Sequence, residues 1–338
     1  MATQLTRDIH ALFLPIFPKL EISDTAARFL SEGGISLLYG ETREEYVSHV
    51  IDPVRVAEES AERWQTTLGV ARNLAGPVLV AVDAEIGGIQ RLHQLVPPLP
   101  SLEDAQLRSA DYIAEQSKAV AVAARRLGVN VFLSPVADVL AGPNPWLEGR
   151  TLGTDLENVA KIVGGFVSGV QSGGVAATVK HFPGHPVCVL DPAVHEAVVS
   201  WTIDELRTYF GPFQAGIDAG ADVVMMGPAI FSTLAKPAAA SISPELISLL
   251  RNDLGFGGVV LTDDLDWKAT IRDNSMEETA IAAVTAGADW MLVSAAGVGH
   301  IPAMVGALEA AAGRGEVSAE KIATSAAKLR ALAARLNG

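Results

Sequence analysis

The feature that most constrains this chain is an alternation. Short β-branched or aliphatic runs, each ending in Gly, Pro or a polar residue, are followed by Ala-rich amphipathic stretches. Such an order marks βα units, because a strand buried on both faces reads as a continuous apolar run while its crossover helix needs only one apolar stripe. The runs predict strands at Leu12–Ile16, Ile35–Tyr39, Val78–Asp83, Val129–Ser134, Ala176–Lys180, Asp222–Met226, Val259–Asp263 and Trp290–Ser294. The first is the weakest of these, since Pro15 has no N–H to give a ladder. Helical periodicity is clearest at Leu102–Leu127, Leu156–Gln171, Ile203–Ala219, Pro244–Leu254, Ser275–Ala286 and Ser318–Leu336.

A doubly wound open sheet would show the same alternation, and the placement of polar residues separates the two. The clearer strands end in Asp83, in Pro135 before Asp138, in Lys180–His181, in Met226–Gly227, in Thr262–Asp263–Asp264 and in Ser294. Barrel enzymes gather their chemistry at the C-terminal ends of the strands, where several loops converge. The Gly-x-Gly-x-x-Gly turn that would favour a dinucleotide site is not found in the first βα unit. The expected fold is therefore α/β, a single (β/α)₈ TIM-like barrel spanning residues 1–338.

Composition narrows the class of function. A formal net charge of −14 sets up a field that repels phosphate backbones and anionic membrane surfaces, so neither nucleic acid nor membrane is expected as a partner. One cysteine, Cys188, excludes an internal disulfide framework and reads best as a small buried apolar side chain. The N-terminus has only a brief apolar run, broken by Pro15 and Pro18, which is unlike a signal peptide. A cytoplasmic protein, monomeric or homodimeric, is the expectation.

Two strand-end carboxylates, Asp83 and Asp263, would be brought into one pocket by barrel closure. Glycosidic cleavage commonly uses two such groups, one attacking or stabilising the anomeric carbon and the other protonating the leaving oxygen. A lone Thr-Asp-Asp is equally well read as a helix cap. The segment Lys180-His181-Phe182-Pro183-Gly184-His185 adds an ammonium and two imidazoles at another strand end, groups suited to hydroxyl recognition and proton transfer. His181, His185 and Asp263 also admit a metal reading, weakened because Pro183-Gly184 interrupts any helix that would put both histidines on one face.

This segment resembles the K-H-F-P-G-H motif of the β-N-acetylglucosaminidases of glycoside hydrolase family 3. Asp83-Ala84-Glu85-Ile86-Gly87-Gly88-Ile89-Gln90-Arg91 is similar to the family's D-Q-E-G-G-R-V-Q-R, and Gly149–Asp155 to its G-R-S-F-G-x-D. Pro237–Ser243 and Leu254–Leu265 resemble further family segments, with weaker matches at Gly33–Leu38 and Gly287–Ser294, so the likeness runs in order along nearly the whole chain. It implies a retaining exo-acting hydrolase of a small β-glycoside of an amino sugar, with no metal and no organic cofactor. It further implies that Asp263 is the nucleophile, with Asp264 supporting it, and that Asp83, Arg150, Lys180 and His181 grip sugar hydroxyls; His185 is counted with them.

The sequence departs from the family after His185. Pro186–Glu196 replaces the usual G-D-T-x-x-D-S-H, the loop is two residues longer, and Asp191 and His195 stand four apart rather than two. His195 is the match to the acid/base histidine, with Asp191 to orient it and Glu196 as a fallback proton donor. Ile86 and Gly88 replace a Gly and an Arg, Gly227-Pro228 stands where an Ala-His pair is usual, and Asp266-Trp267 replaces Ser-Met. Trp267 adds an aromatic face on which a sugar can stack. Two other readings stay open, a glycoside phosphorylase of the same branch and a sugar-binding barrel without catalysis.

Overall fold

A computed structural model describes residues 3–42, 44–45 and 50–338 of the chain. Eight strands form the central sheet: β1 (Phe13–Phe17), β2 (Ser36–Tyr39), β3 (Leu79–Val82), β4 (Val131–Phe132), β5 (Ala176–Phe182), β6 (Val223–Met226), β7 (Val259–Leu261) and β8 (Met291–Val293). Each pairs in parallel with its neighbours in the sequence, and β1 returns to β8 through Phe13 opposite Met291. The remaining gap closes by a parallel bridge between Leu261 and Trp290, where the Thr262 amide donates to the Trp290 carbonyl at 3.0 Å. The result is the expected (β/α)₈ barrel, and closure leaves no barrel strand edge to protect.

Pro15 does lie within β1. Residues 13–15 register with β8 and residues 16–17 with β2, so the proline sits where the strand passes from one neighbour to the other. Two expected helices are each split in two. Leu102–Leu127 breaks into Leu102–Leu107 and Ala110–Leu127, with the Ser109 side chain accepting from the Tyr112 amide at the second start. Ile203–Ala219 breaks into Ile203–Arg207 and Gly211–Asp218, because Pro212 has no N–H to continue the first helix. Helices at Gln4–Ala11, Asp24–Ser31, Ala61–Ala75 and Ile301–Gly313 complete the outer layer. Among the described residues, no helix is long and apolar enough to cross a membrane.

A small second sheet, unforeseen in the sequence, joins Val198–Val199 to Ile230–Phe231 in parallel and Ile230–Phe231 to Ala238–Ala239 antiparallel. It braces the long loop after β5 against the loop after β6, with the Ile230 amide donating to the Ala197 carbonyl at 2.9 Å.

Candidate active site

Chemistry-bearing side chains collect at the C-terminal mouth of the barrel, in a cavity of about 460 Å³ whose wall includes Glu41, Asp83, Arg150, Lys180, His181 and Asp263. Asp264, Asp266 and Trp267 line the same space. Closure of the sheet thus unites residues more than two hundred positions apart, and six of the residues expected to work together do meet here: Asp83, Arg150, Lys180, His181, Asp263 and Trp267.

One wall is a chain of alternating charges. The Lys180 ammonium lies 2.8 Å from Asp83 Oδ1 and 2.6 Å from Glu85 Oε1, and Arg150 closes on Glu85 with two hydrogen bonds of 2.7 and 3.1 Å. Burial disfavours the charge on Lys180, but Asp83 and Glu85 outweigh it and push the ammonium above its usual range. Burial likewise opposes the charge on Glu85, and Arg150 and Lys180 together reverse that, holding its carboxyl well below the ordinary value. Gly88 makes this arrangement fit, since a Cβ there would lie 2.2 Å from Glu85 Oε2.

A second wall is organised by Asp138, a fully buried carboxylate. Its Oδ2 accepts from the amide and Nδ1 of His181, both at 2.8 Å, and its Oδ1 accepts from the amide and Nδ1 of His185, both at 2.9 Å. A carboxylate only accepts, so each ring carries a proton on Nδ1; the Nε2 of His185 is buried without a hydrogen-bond partner. Burial dominates the His181 imidazole and drives its pKa down to about 3, so it is neutral at working pH despite its partner. The Lys180–His181 and Phe182–Pro183 peptides on this segment are cis. Trp146 covers both rings, with centroids 4.7 Å from His181 and 5.2 Å from His185, and meets Trp267 edge-on at 6.0 Å.

At the floor lies Asp263, 3% exposed. Its backbone amide donates to Ser241 Oγ at 2.9 Å, which anchors the main chain, and its Oδ1 accepts from the Asp264 amide at 2.8 Å, which orients the carboxylate. Burial raises its pKa to about 6, against the pull of the Asp264 amide, Lys180 and Arg150. Asp264 is pushed well above the carboxylate range by burial first and then by Asp263 and Asp266.

The remaining expected site residues stand elsewhere. His185 does not line the cavity; its ring is fully buried behind it, between Trp146 and Phe231, and a Cβ on Gly227 would lie 2.1 Å from its Cε1. His195 is exposed and outside the cavity wall, which its neighbours Ala193 and Val194 reach instead. The Asp191 carboxylate accepts from the Ala193 amide at 2.9 Å, and the His195 amide donates to the Asp191 carbonyl at 3.0 Å, so this pair is joined through the backbone of a turn. Glu196 forms ion pairs with Lys268 at 3.3 Å and Arg272 at 3.4 Å. No group of three His, Cys, Asp or Glu among the described residues is arranged to hold a metal ion.

Glu41, Glu85, Asp138, Trp146 and Ser241 shape the site without having been singled out from the sequence as functional. Glu85 carried a signal in its place two residues after Asp83, and Asp138 in lying just beyond a strand end. Ser241 lies within the Pro237–Ser243 segment that resembles the family, though no role was read for it, and nothing local marks Trp146, whose partners are remote in sequence.

Comparison with known proteins agrees with this geometry. The model of the glycosyl hydrolase family 3 N-terminal domain matches residues 30–332. A beta-hexosaminidase of Stenotrophomonas maltophilia is 37% identical over 248 residues, covering 69% of this chain and 72% of its own. The solved family 3 beta-N-acetylglucosaminidase of Paenibacillus sp. superposes with a TM-score of 0.82 at 32% identity, over 99% of this chain, which spans 63% of that longer protein. A beta-N-acetylhexosaminidase of Beutenbergia cavernae superposes at 0.84 with 25% identity, over 98% and 99% of the two chains. With a family model matched along most of its length and a barrel whose mouth carries the family's motifs in one cavity, the chain belongs to glycosyl hydrolase family 3.

Proposed function

We propose that the protein is a retaining, exo-acting hydrolase of β-linked amino-sugar glycosides, of the β-N-acetylhexosaminidase type. The observation that carries this reading is the Asp263 carboxylate, oriented by the Asp264 amide, with its main chain anchored on Ser241, on the floor of a cavity walled by Asp83, Arg150, Lys180 and His181. The names of the similar proteins support it.

In the first step Asp263 attacks the anomeric carbon, the bond to the aglycone oxygen breaks, and that oxygen takes a proton from the general acid. In the second, the same group removes a proton from water, whose oxygen displaces Asp263 and releases the sugar with its configuration retained. Asp83 and Lys180 supply an acceptor and a donor to ring hydroxyls, and neutral His181 offers Nε2 as an acceptor. Trp267 gives the ring or aglycone an apolar face. His195 is the general acid/base of this scheme, oriented by Asp191, which requires the loop to swing its ring inward from the exposed position. His185 holds Asp138, and through it His181.

The test uses aryl β-N-acetylglucosaminide, β-N-acetylgalactosaminide and β-glucoside, with and without phosphate, together with an activated 2-fluoro glycoside followed by mass spectrometry. A covalent adduct on Asp263, turnover independent of phosphate, and a loss of roughly 10³-fold or more in kcat for Asp263→Asn are the expected results. An adduct on another residue overturns the assignment. No adduct and no turnover with any glycoside would leave a sugar-binding barrel.

A further inference from the structure

The polar groups of the cavity are not spread evenly around the barrel mouth. Asp83 follows β3, Arg150 lies in the loop after β4, and Lys180 and His181 belong to the end of β5, so the hydroxyl-gripping side chains fill one continuous sector. Across the barrel axis the wall is made by the loops after β7 and β8, and there the cavity meets Trp267, Ala295 and Ala296. The loop after β5 is drawn over to the same side. The Lys268 amide donates to the Ala193 carbonyl at 3.2 Å and the Ala269 amide to the Pro192 carbonyl at 3.0 Å, which brings Ala193 and Val194 alongside the Trp267 segment, and both line the cavity. The polar atoms of this sector answer one another: Asp266 accepts from the Ser294 amide at 3.2 Å and from its hydroxyl, while Ser294 Oγ accepts from the Ala296 amide at 3.2 Å. What the sector offers a ligand is mainly apolar surface, with Val194 55% exposed, Ala295 and Ala296 exposed and Trp267 half-buried.

Single apolar side chains on a surface are ordinary, but these come from separate loops and converge on one cavity beside the nucleophile. A sugar held over Asp263 by Asp83, Lys180 and His181 points its glycosidic oxygen toward the general acid, which in the scheme above comes from the loop after β5. The aglycone therefore lies on the side of Val194 and Trp267. A second sugar there could rest a face on the indole, but the side chains of Val194, Ala295 and Ala296 give its hydroxyls no donor or acceptor, and each polar group desolvated without a partner is costly. An apolar group meets no such cost and gains from leaving water. We propose that this sector is an aglycone subsite for an apolar group, with Val194 and Trp267 setting the preference. The inference rests on the reading of the cavity as a glycoside site and narrows its substrates to amino-sugar glycosides of an apolar alcohol or phenol.

The test is a series in which only the apolar length of the aglycone changes. Ethyl, butyl and hexyl 1-thio-β-N-acetylglucosaminides, which resist hydrolysis, are titrated calorimetrically, with the S-linked disaccharide of N-acetylglucosamine as the polar comparison. The matching alkyl O-glycosides give kcat/KM, and their alcohols are nearly equal in acidity, so the leaving group stays constant along the series. Each methylene fully buried is worth about fourfold, and a rim buries it in part, so affinity and kcat/KM should rise by roughly tenfold or more from ethyl to hexyl. The hexyl ligand should also outbind the disaccharide. Val194→Ser and, separately, Trp267→Ala should flatten the rise with chain length. Equal affinity along the series, tighter binding of the disaccharide than of the hexyl ligand, or a rise that neither variant alters overturns the proposal. Cleavage of the O-glycosides with a flat affinity series sinks this inference and leaves the hydrolase reading standing. A rise that the variants flatten, with no cleavage of any glycoside, supports the apolar subsite and sinks the hydrolase reading.

Discussion

Asp263 is held in conditions that an exposed aspartate never meets. Its oxygens lie in a desolvated floor, and burial lifts its pKa to about 6 even though Lys180 and Arg150 pull the other way. The nucleophile must be ionised to attack, so the sign is simple: activity is lost as pH falls through this value and recovered above it. With a neutral glycoside, kcat/KM should show an acid limb near 6. His181, depressed to about 3, does not titrate across that window and cannot be its source. A limb found instead at the ordinary aspartate value, about 3.9, would mean that Asp263 is solvated in the working enzyme. Glycine 227 makes an independent claim at the same scale. A methyl group there would meet the fully buried His185 ring at 2.1 Å, and the residue is pinned to Asp138 through both its ring Nδ1 and its backbone amide. Gly227→Ala should cost about 1–3 kcal/mol in denaturant unfolding, as overpacking does. Combined with His185→Ala the two effects should be less than additive, because the clash is removed with the ring. Additive losses would show that Gly227 is needed for some other reason.

Among the elements, the barrel strands were legible and the loop after β5 was not. Strands such as Val259–Leu261 are apolar on both faces, and a motif such as Lys180–His181 lies at a strand end whose position periodicity already fixes. The Pro186–Glu196 loop has no periodicity, and its shape depends on contacts made far away: the carbonyls of Pro192 and Ala193 accept from the amides of Ala269 and Lys268, while Val198–Val199 enters the small sheet. Counting residues from the family pattern leads to His195, but counting cannot tell which way a ring points. In the structure the Asp191–His195 link is a backbone turn and the ring is exposed. The role of Asp138 was hidden for a related reason, since its value comes from His181 near the end of β5 and His185 in the loop beyond it. The role proposed for His195 has a direct kinetic signature. His195→Ala should slow glycosides with poor leaving groups by 10²-fold or more, roughly the usual worth of a general acid, and spare activated aryl glycosides in the first step. Added azide should then restore the second step. If all leaving groups suffer alike, the proton comes from another group, and Glu196→Gln, which breaks the pairs with Lys268 and Arg272, becomes the variant to measure.

For the molecule as a whole, the division of labour follows the barrel axis: reactive carboxylates occupy the C-terminal mouth, and the opposite end is tied shut by a different one. Asp289, 1% exposed just before β8, accepts from Arg251 at 2.7 Å, Lys321 at 2.8 Å, Ser325 at 2.7 Å and Lys328 at 3.1 Å, and from the Val260 amide at 3.1 Å. It thereby joins the start of β7 to helix Pro244–Asn252 and to the terminal helix Ala319–Asn337, clamping the last turn of the barrel where β8 must meet both β7 and β1. Burial works against its charge, but Lys321, Ser325 and Lys328 together hold its pKa at about 2. A depressed carboxylate stabilises the fold above its unfolded value, and that contribution disappears as pH falls towards 2. Asp289→Asn keeps the shape and removes the charge. Breaking a buried pair usually costs several kcal/mol, but the three cations here are a quarter to a third exposed and can rehydrate, so about 2–3 kcal/mol is expected. The loss should appear in denaturant unfolding at neutral pH and shrink on acidification, while kcat per folded molecule stays unchanged because the mouth is untouched. Loss of kcat without loss of stability would mean that the two ends of the barrel are coupled, and that Asp289 helps to set the position of Asp263 through β7 rather than simply fastening the chain.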